Sequence, residues 1–412
     1  MPSDSERREE ILETAASLFA SSGIRTSLKE IGDACGILPG SLYHHFDSKD
    51  AIVVELVQRY RDDLDQVAKG ALDSLHEPGP PAVEERVTQL GEDIAMCAVR
   101  HRAALLLTLY EPPTTASDVL VELARQAPTA ITAAMTDVLE RGYRTGEIRD
   151  GIDLPILSER ICQSMLHVGV GVFHRRQSSH HLPTMKCRVF LHGIARRAPS
   201  DTTLDRSPAM RAAQQVIADW STAEDDDRTA HLRSVGRAEF ARRGYEATTM
   251  RDVAKAAELS TGTVYRTFRS KDELLISIMQ TFSDTFSASW DAVLETSSTP
   301  IEKVDALLWV NINLLDRFSE EFRIQMAWLR QSPPDSVDLG LSFGQQLKHL
   351  QAVLVEGERA GKLRPTDESA LAQARSMYEV ILTPENVIRH AGLRGSLDLA
   401  RETVLRGALA HR

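Results

Sequence analysis

Three residue types with docking chemistry recur at one spacing in this chain. Gly40, Tyr43 and Lys49 stand 222 residues before Gly262, Tyr265 and Lys271. A glycine lets another molecule approach the backbone closely. A tyrosine joins an apolar ring to a hydroxyl that reaches a phosphate oxygen, and a lysine supplies a cation. Small polar residues stand beside the glycines, Ser41 in one copy and Thr261 and Thr263 in the other. The position after each tyrosine differs: His44 in the first copy, Arg266 in the second. Arginine pairs bidentately with guanine, whereas histidine makes a weaker, pH-sensitive contact. No nucleophile–base pair, phosphate loop or metal motif accompanies them. The chemistry is the recognition of a polyanion.

The elements that position these residues are legible around them. Ser27 and Thr249 are hydroxyl N-caps, each with an acid three places on (Glu30, Asp252), so each opens a helix with a capping box. Leu28 and Ile31, like Met250 and Val253, lie one turn apart on one face. A short turn follows, and a second short helix begins. Pro39 suits its first position in one copy, and Ser260 is its natural cap in the other. Two short helices joined by a tight turn make a helix-turn-helix, whose second helix lies in the DNA major groove. Phe46 and Phe268 are expected to pack inward. Ser48 and Ser270 cap the next helix, which places Lys49 and Lys271 in its first turn. A cation there opposes the helix dipole, and a bound phosphate would remove the conflict. The candidate DNA contacts are therefore Ser27, Pro39, Gly40, Ser41, Tyr43, His44 and Lys49, and Thr249, Thr261, Gly262, Thr263, Tyr265, Arg266 and Lys271.

Both copies resemble the DNA-binding region of the TetR family of bacterial regulators. The shared pattern is a small residue, an apolar residue, Tyr, two variable positions, Phe, a variable position, Ser and Lys. The upstream helix endings LFASSG and EFARRG fit it too. Outside the heads, VLERGYRTGEIR (138–149) matches VLVEGERAGKLR (353–364) at an offset of 215. The repeat therefore covers two whole protomers in tandem. The resemblance implies an all-α fold, two-fold pairing through the last two helices of each protomer, and a small-molecule effector in the helical body. It implies a double-stranded DNA operator as partner, most simply as a repressor. Joining the halves raises their mutual concentration, so an intrachain pseudo-dimer is expected, with homodimers of whole chains as the alternative.

Composition bounds the rest. A chain of 412 residues with 42% hydrophobic content can build more than one core. Its net charge of −11 excludes a generic polycation, so DNA affinity must come from local patches. Four cysteines in no close pair fit a reducing, cytoplasmic setting. No apolar run is long enough to span a membrane, and the N-terminus is charged rather than signal-like.

The chain divides into a first head (1–47), a first helical domain (48–198), a linker (199–226), a second head (227–269) and a second helical domain (270–412). Within the first domain, helices are expected at 48–75, 82–109, 128–146, 155–175 and 183–197. In the second they are expected at 270–295, 300–318, 320–331, 337–360, 368–391 and 396–410, with Pro384 kinking or ending one of them. The linker residues 210–220 favour a helix capped by Ser207 and Pro208, whether docked or free.

The heads differ in charge. Residues 4–50 hold five bases against nine acids, and 225–273 hold ten against nine. An operator with two dissimilar half-sites is expected, the second head giving more of the electrostatic affinity. Weaker constellations point elsewhere. His174, His180, His181 and His192 lie near Cys187 in the sequence, which allows a metal sensor, but solvated surface histidines are the simpler reading. Cys162 and Cys187 pose the same question for a thiol switch. Trp290, Trp309, Trp328, Phe318 and Phe322 either line an apolar pocket or pack a core, and core is the simpler reading. An enzyme or an architectural protein carrying such heads is the remaining alternative. No cofactor, metal or catalytic residue is expected.

Overall fold

The computed structural model describes residues 3–22, 26–76, 81–108, 117–170, 181–220, 228–245, 247–331 and 343–410. The first head is α1 (Asp4–Ser22), α2 (Leu28–Ala34) and α3 (Pro39–His45). The body that follows is α4 (Lys49–Ser74), α5 (Val83–Arg100), α6 (Arg102–Leu107), α7 (Asp118–Arg125), α8 (Thr129–Arg144), α9 (Leu154–Val170) and α10 (His181–His192). Two helices, α11 (Asp201–Asp205) and α12 (Pro208–Ala218), occupy the expected linker. The second head is α13 (Arg228–Arg243), α14 (Met250–Ala256) and α15 (Thr261–Thr267). Its body is α16 (Lys271–Leu294), α17 (Pro300–Arg317), α18 (Ser319–Gln331), α19 (Phe343–Arg359), α20 (Ala370–Ile381) and α21 (Glu385–Ala400), closed by a π-helical turn (Arg401–Leu405). Among the described residues the only extended pairings are two isolated bridges, so the all-α expectation stands.

Several elements depart from expectation; among them, the helices expected to run to 197 and 410 stop at His192 and Leu405. The helix expected at 82–109 breaks at His101, whose backbone leaves the helical region while its Nε2 meets Asp63 of α4 at 2.8 Å. The short helix α7 was not anticipated. Ser117 caps it, its hydroxyl accepting from the Leu120 amide at 3.3 Å, and it lies along α4. At the C-terminus the helix expected at 368–391 ends at Ile381, before Pro384 as expected; Pro384 then opens α21, and Gly392, with φ +69°, breaks α21 internally. The loop expected at 110–115 lies outside the described residues, as do 175–180 of the loop expected at 175–182, whose last two residues open α10.

The linker is not a tether. Ser207 caps α12, and α12 packs across α16 and α17 with Met210 and Ala213 buried. The Ala209 amide donates to Ser298 Oγ at 2.8 Å, and Trp220 Nε1 donates to Ser289 Oγ at 3.0 Å. The aromatic run is core: Trp290 is fully buried, stacked on Phe286 and donating to Asn311, while Phe318 meets Phe282 and Trp220. The Trp328 side chain lies outside the described residues.

The two bodies meet through α9 and α10 on one side and α20, α21 and the π turn on the other. The chain leaves both terminal helices at a left-handed glycine, Gly193 (φ +68°) and Gly407 (φ +87°). Their backbones touch: a Cβ on Gly407 would come within 2.2 Å of the His192 carbonyl carbon, and one on Gly193 within 2.5 Å of Gly407 N. Hydrogen bonds run reciprocally around this point. The Ile194 amide donates to Val404 O at 2.8 Å and the Ala408 amide to Phe190 O at 3.0 Å, the same relation read in both directions 214 residues apart. Beyond the glycines each tail crosses to the other half. Residues 194–196 pair with 362–364, and 408–410 pair with 147–149.

Candidate nucleic-acid interface

Each head is built on a buried triangle. Ile31, Leu42 and Phe46 in the first, and Val253, Val264 and Phe268 in the second, hold the two short helices against the long one. The capping boxes form in full. Ser27 Oγ accepts from the Glu30 amide at 3.2 Å and donates to its carboxylate at 2.7 Å; Thr249 and Asp252 repeat this at 3.2 and 2.6 Å. The Ser27 amide and hydroxyl donating to Glu30, and the Thr249 hydroxyl and amide donating to Asp252, hold both carboxyls below the usual carboxylate range. The turns also match: the Ile37 amide donates to Gly32 O at 3.0 Å, and the Leu259 amide to Ala254 O at 2.9 Å. At the tip, Gly36 (φ +66°) is replaced by Glu258 (φ +57°), a left-handed conformation that favours glycine.

The outer faces of α3 and α15 carry the expected residues. Tyr43 is 53% exposed and Tyr265 49%, and Ser41, His44 and Arg266 are exposed beside them. A Cβ added at Gly40 would meet nothing within 4 Å, and one at Gly262 only Ser260 Oγ at 4.0 Å. Neither glycine has a positive φ. Neither packing nor backbone conformation asks for glycine there, although glycine inside a helix costs about 1 kcal/mol against alanine. Ser260 caps α15, its hydroxyl accepting from the Thr263 amide at 3.2 Å, and Arg266 donates to Thr263 Oγ1 at 3.0 Å. Thr261 and Pro39 are the first residues of their helices.

The head sequences match the family described as "Bacterial regulatory proteins, tetR family" at residues 11–56 and 232–278, once for each head. A stretch of 155 residues, 36% of this chain, is 35% identical to the HTH-type transcriptional repressor KstR2 of Rhodococcus jostii (strain RHA1), and covers 72% of that relative. The chain belongs to the TetR family. The KstR2 repressor of Mycobacterium tuberculosis (strain ATCC 25618 / H37Rv) is 32% identical over 152 residues, with 74% of it covered. The solved structure of the ketosteroid transcriptional regulator KstR2 of M. tuberculosis matches at a TM-score of 0.37 and 27% identity, covering 43% of this chain and 89% of that one. This TetR-family chain is a DNA-binding transcriptional regulator and not an enzyme.

The lysines of this TetR-family chain part company. Lys271 Nζ donates to the carbonyls of Tyr245 at 2.9 Å and Thr248 at 3.1 Å and lies 4.1 Å from the centre of the Tyr245 ring. Those bonds already relieve the helix-dipole conflict that a phosphate was expected to relieve, so the cation ties α16 to the loop before α14. Lys49, half-buried at the start of α4, adds to the depression of the Glu30 carboxyl. The charge excess of the second head is also smaller at its surface than its count. Arg237 is held by Glu320 and Glu321, and Arg242 and Arg243 by Glu239. In the first head Arg7 pairs with Glu10 and Arg8 with Glu55.

Among the described residues the histidine constellation does not assemble into a metal site, and both thiols are buried. His192 pairs with Glu84 at 2.7 Å, His181 is exposed, and His174 and His180 lie outside the described residues. Burial pushes the Cys162 and Cys187 thiols up to about 12, which leaves both protonated and unreactive. Sequence reasoning missed Asp63, Cys97 and His101, whose ligand atoms lie within 4.8 Å of one another. Asp63 there already bonds both His101 and Arg100, and burial pushes the Cys97 thiol up to about 12; the group ties α4 to the α5–α6 joint. The exchanged tails were missed too. The signal available was Gly193, directly after α10, and Gly407, two residues past the π-helical turn.

Proposed function

We propose that this chain represses transcription by gripping a single operator with both of its heads, as an intrachain pseudo-dimer. The reciprocal pairing at Gly193 and Gly407 carries this reading. Each tail completes the other half, so separating the halves would strip backbone hydrogen bonds from four segments at once. In this reading residues 1–47 and 227–269 are the heads, 48–198 and 270–412 the bodies, and 199–226 a strap docked on the second body. The heads present α3 and α15 to successive major grooves of one duplex, about 34–36 Å apart or a multiple of it.

The DNA-facing set is Gly40, Ser41, Tyr43 and His44 on α3, and Thr261, Gly262, Thr263, Tyr265 and Arg266 on α15, with Ser27, Thr249, Pro39 and Lys49 framing them. The open space at Gly40 and Gly262 supports it, since what those glycines leave room for lies outside the protein. Lys271 acts as a tie. His44 against Arg266 makes the two half-sites dissimilar. A small molecule binding in the helical bodies favours a head spacing that does not match the grooves, and affinity falls in proportion to that preference. No helix among the described residues is long and apolar enough to cross a membrane, and we place the protein in the cytoplasm.

The test is unbiased selection of genomic fragments on the purified chain, followed by footprinting at two salt concentrations. The reading requires one saturable site with two unequal protected half-sites. It fails if no fragment is retained above background.

A further inference from the structure

The pseudo-two-fold arrangement allows its two ends to be compared residue by residue. At one end Arg149 of the first half bonds across to the second: it pairs with the Glu402 carboxylate and donates to Gly407 O at 2.7 Å. At the other end the counterpart of Arg149 is Arg364, and the residue 214 places before Glu402 is Arg188. The acid has been replaced by a second arginine. Arg188 and Arg364 line one cavity of about 550 Å³, together with Arg196. Among the described residues none of the three is in an ion pair.

The cavity lies between α10 of the first half and α19, α20 and the 363–368 segment of the second. Asp367 and Glu368 also line it, leaving three arginines against two carboxylates. Two polar atoms there are buried without a partner: the Ser376 hydroxyl, in a residue only 2% exposed, and Arg364 Nε. The first-half counterpart of Ser376 is the apolar Ile161, so this hydroxyl belongs to one end only. A buried hydroxyl or guanidinium nitrogen left unbonded carries its full desolvation penalty, which an anionic oxygen would recover. Met185, Val189, Leu354 and Met377 form an apolar part of the remaining wall, beside the polar His181, Thr184, Thr366 and Gln373. A cavity of this size suits a small organic molecule.

We propose that this cavity binds one amphipathic anion per chain, an acidic head on an apolar body. The head sits between Arg188 and Arg364 in the place that Glu402 fills at the other end, with Ser376 donating to it. Because the walls come from both halves, such a ligand couples to the relation between them. The inference uses no property of DNA, so its failure leaves the operator reading standing.

The experiment is titration calorimetry of the full chain, without DNA, using octanoate and octyl phosphate as probes and octanol as the neutral control. The two anions distinguish a carboxylate head from a phosphate head. At least one should bind at one molecule per chain, tenfold or more tighter than octanol. Arg188→Glu rebuilds here the pair seen at the other end; it should weaken anion binding tenfold or more and leave the melting temperature unchanged or raised. Ser376→Ala should weaken it several-fold and serves where the charge reversal fails to fold. Two molecules per chain, binding of octanol as tight as the anions, no saturable anion binding, or undiminished binding in the folded variants would each overturn the proposal.

Discussion

The two heads share a skeleton and differ on the outside. The hydrogen bonds of the capping boxes and turns agree within 0.1 Å and the buried triangle recurs, while His44 becomes Arg266, Asp47 becomes Arg269 and Gly36 becomes Glu258. The skeleton of a helix-turn-helix has one solution, because its two helices bury only a few side chains and each must be correct. The outer face answers to whatever DNA it meets, and two half-sites need not be alike. The seam between the bodies obeys the same division: the glycine crossing is symmetric, and the charges around it are not.

The symmetric part should be the most sensitive. Gly407→Ala and Gly193→Ala each place a Cβ against backbone at a left-handed residue, so each should cost about 3 kcal/mol or more in denaturant unfolding. Both should abolish operator binding. If either variant melts like the parent, the reciprocal crossing does not hold the halves together. On the asymmetric faces, Arg266→Ala should weaken operator affinity by about 1–3 kcal/mol, the worth of a bidentate base contact. His44→Ala should cost less, and equal losses in a gel-shift titration would erase the difference between the heads.

Lys271→Ala separates tie from contact. A lysine on one phosphate would lower the salt slope by about one unit when removed. The bonds to Tyr245 and Thr248 predict an unchanged slope and a stability loss of about 1.5–3 kcal/mol, as for hydrogen bonds to a charged group. The smallest effect belongs to the turn. Glu258→Gly relieves a left-handed residue and should stabilise the protein by up to about 1 kcal/mol. A drop in melting temperature would show that the Glu258 side chain has a role its backbone does not reveal.

The heads were legible in the sequence because their determinants are local. Ser27 and Glu30 stand three residues apart, and so do Thr249 and Asp252, so a short window contains the whole capping box. The tandem plan was legible because two windows repeated. The seam was not, since Gly193 reads like any helix-ending glycine until Gly407 is brought against it. The Lys271 tie was hidden for a related reason: its partners are backbone carbonyls, and a carbonyl has no letter in the sequence. The short helix α7 and the break at His101 depend on packing against α4, which periodicity within one segment does not record.

The central claim is that one chain supplies both heads. Light scattering on the protein with its selected operator duplex counts chains directly. One 45.7 kDa chain per duplex is the predicted result, with Gly407→Ala failing to form that complex. Two chains per duplex, each contributing a single head, would contradict it.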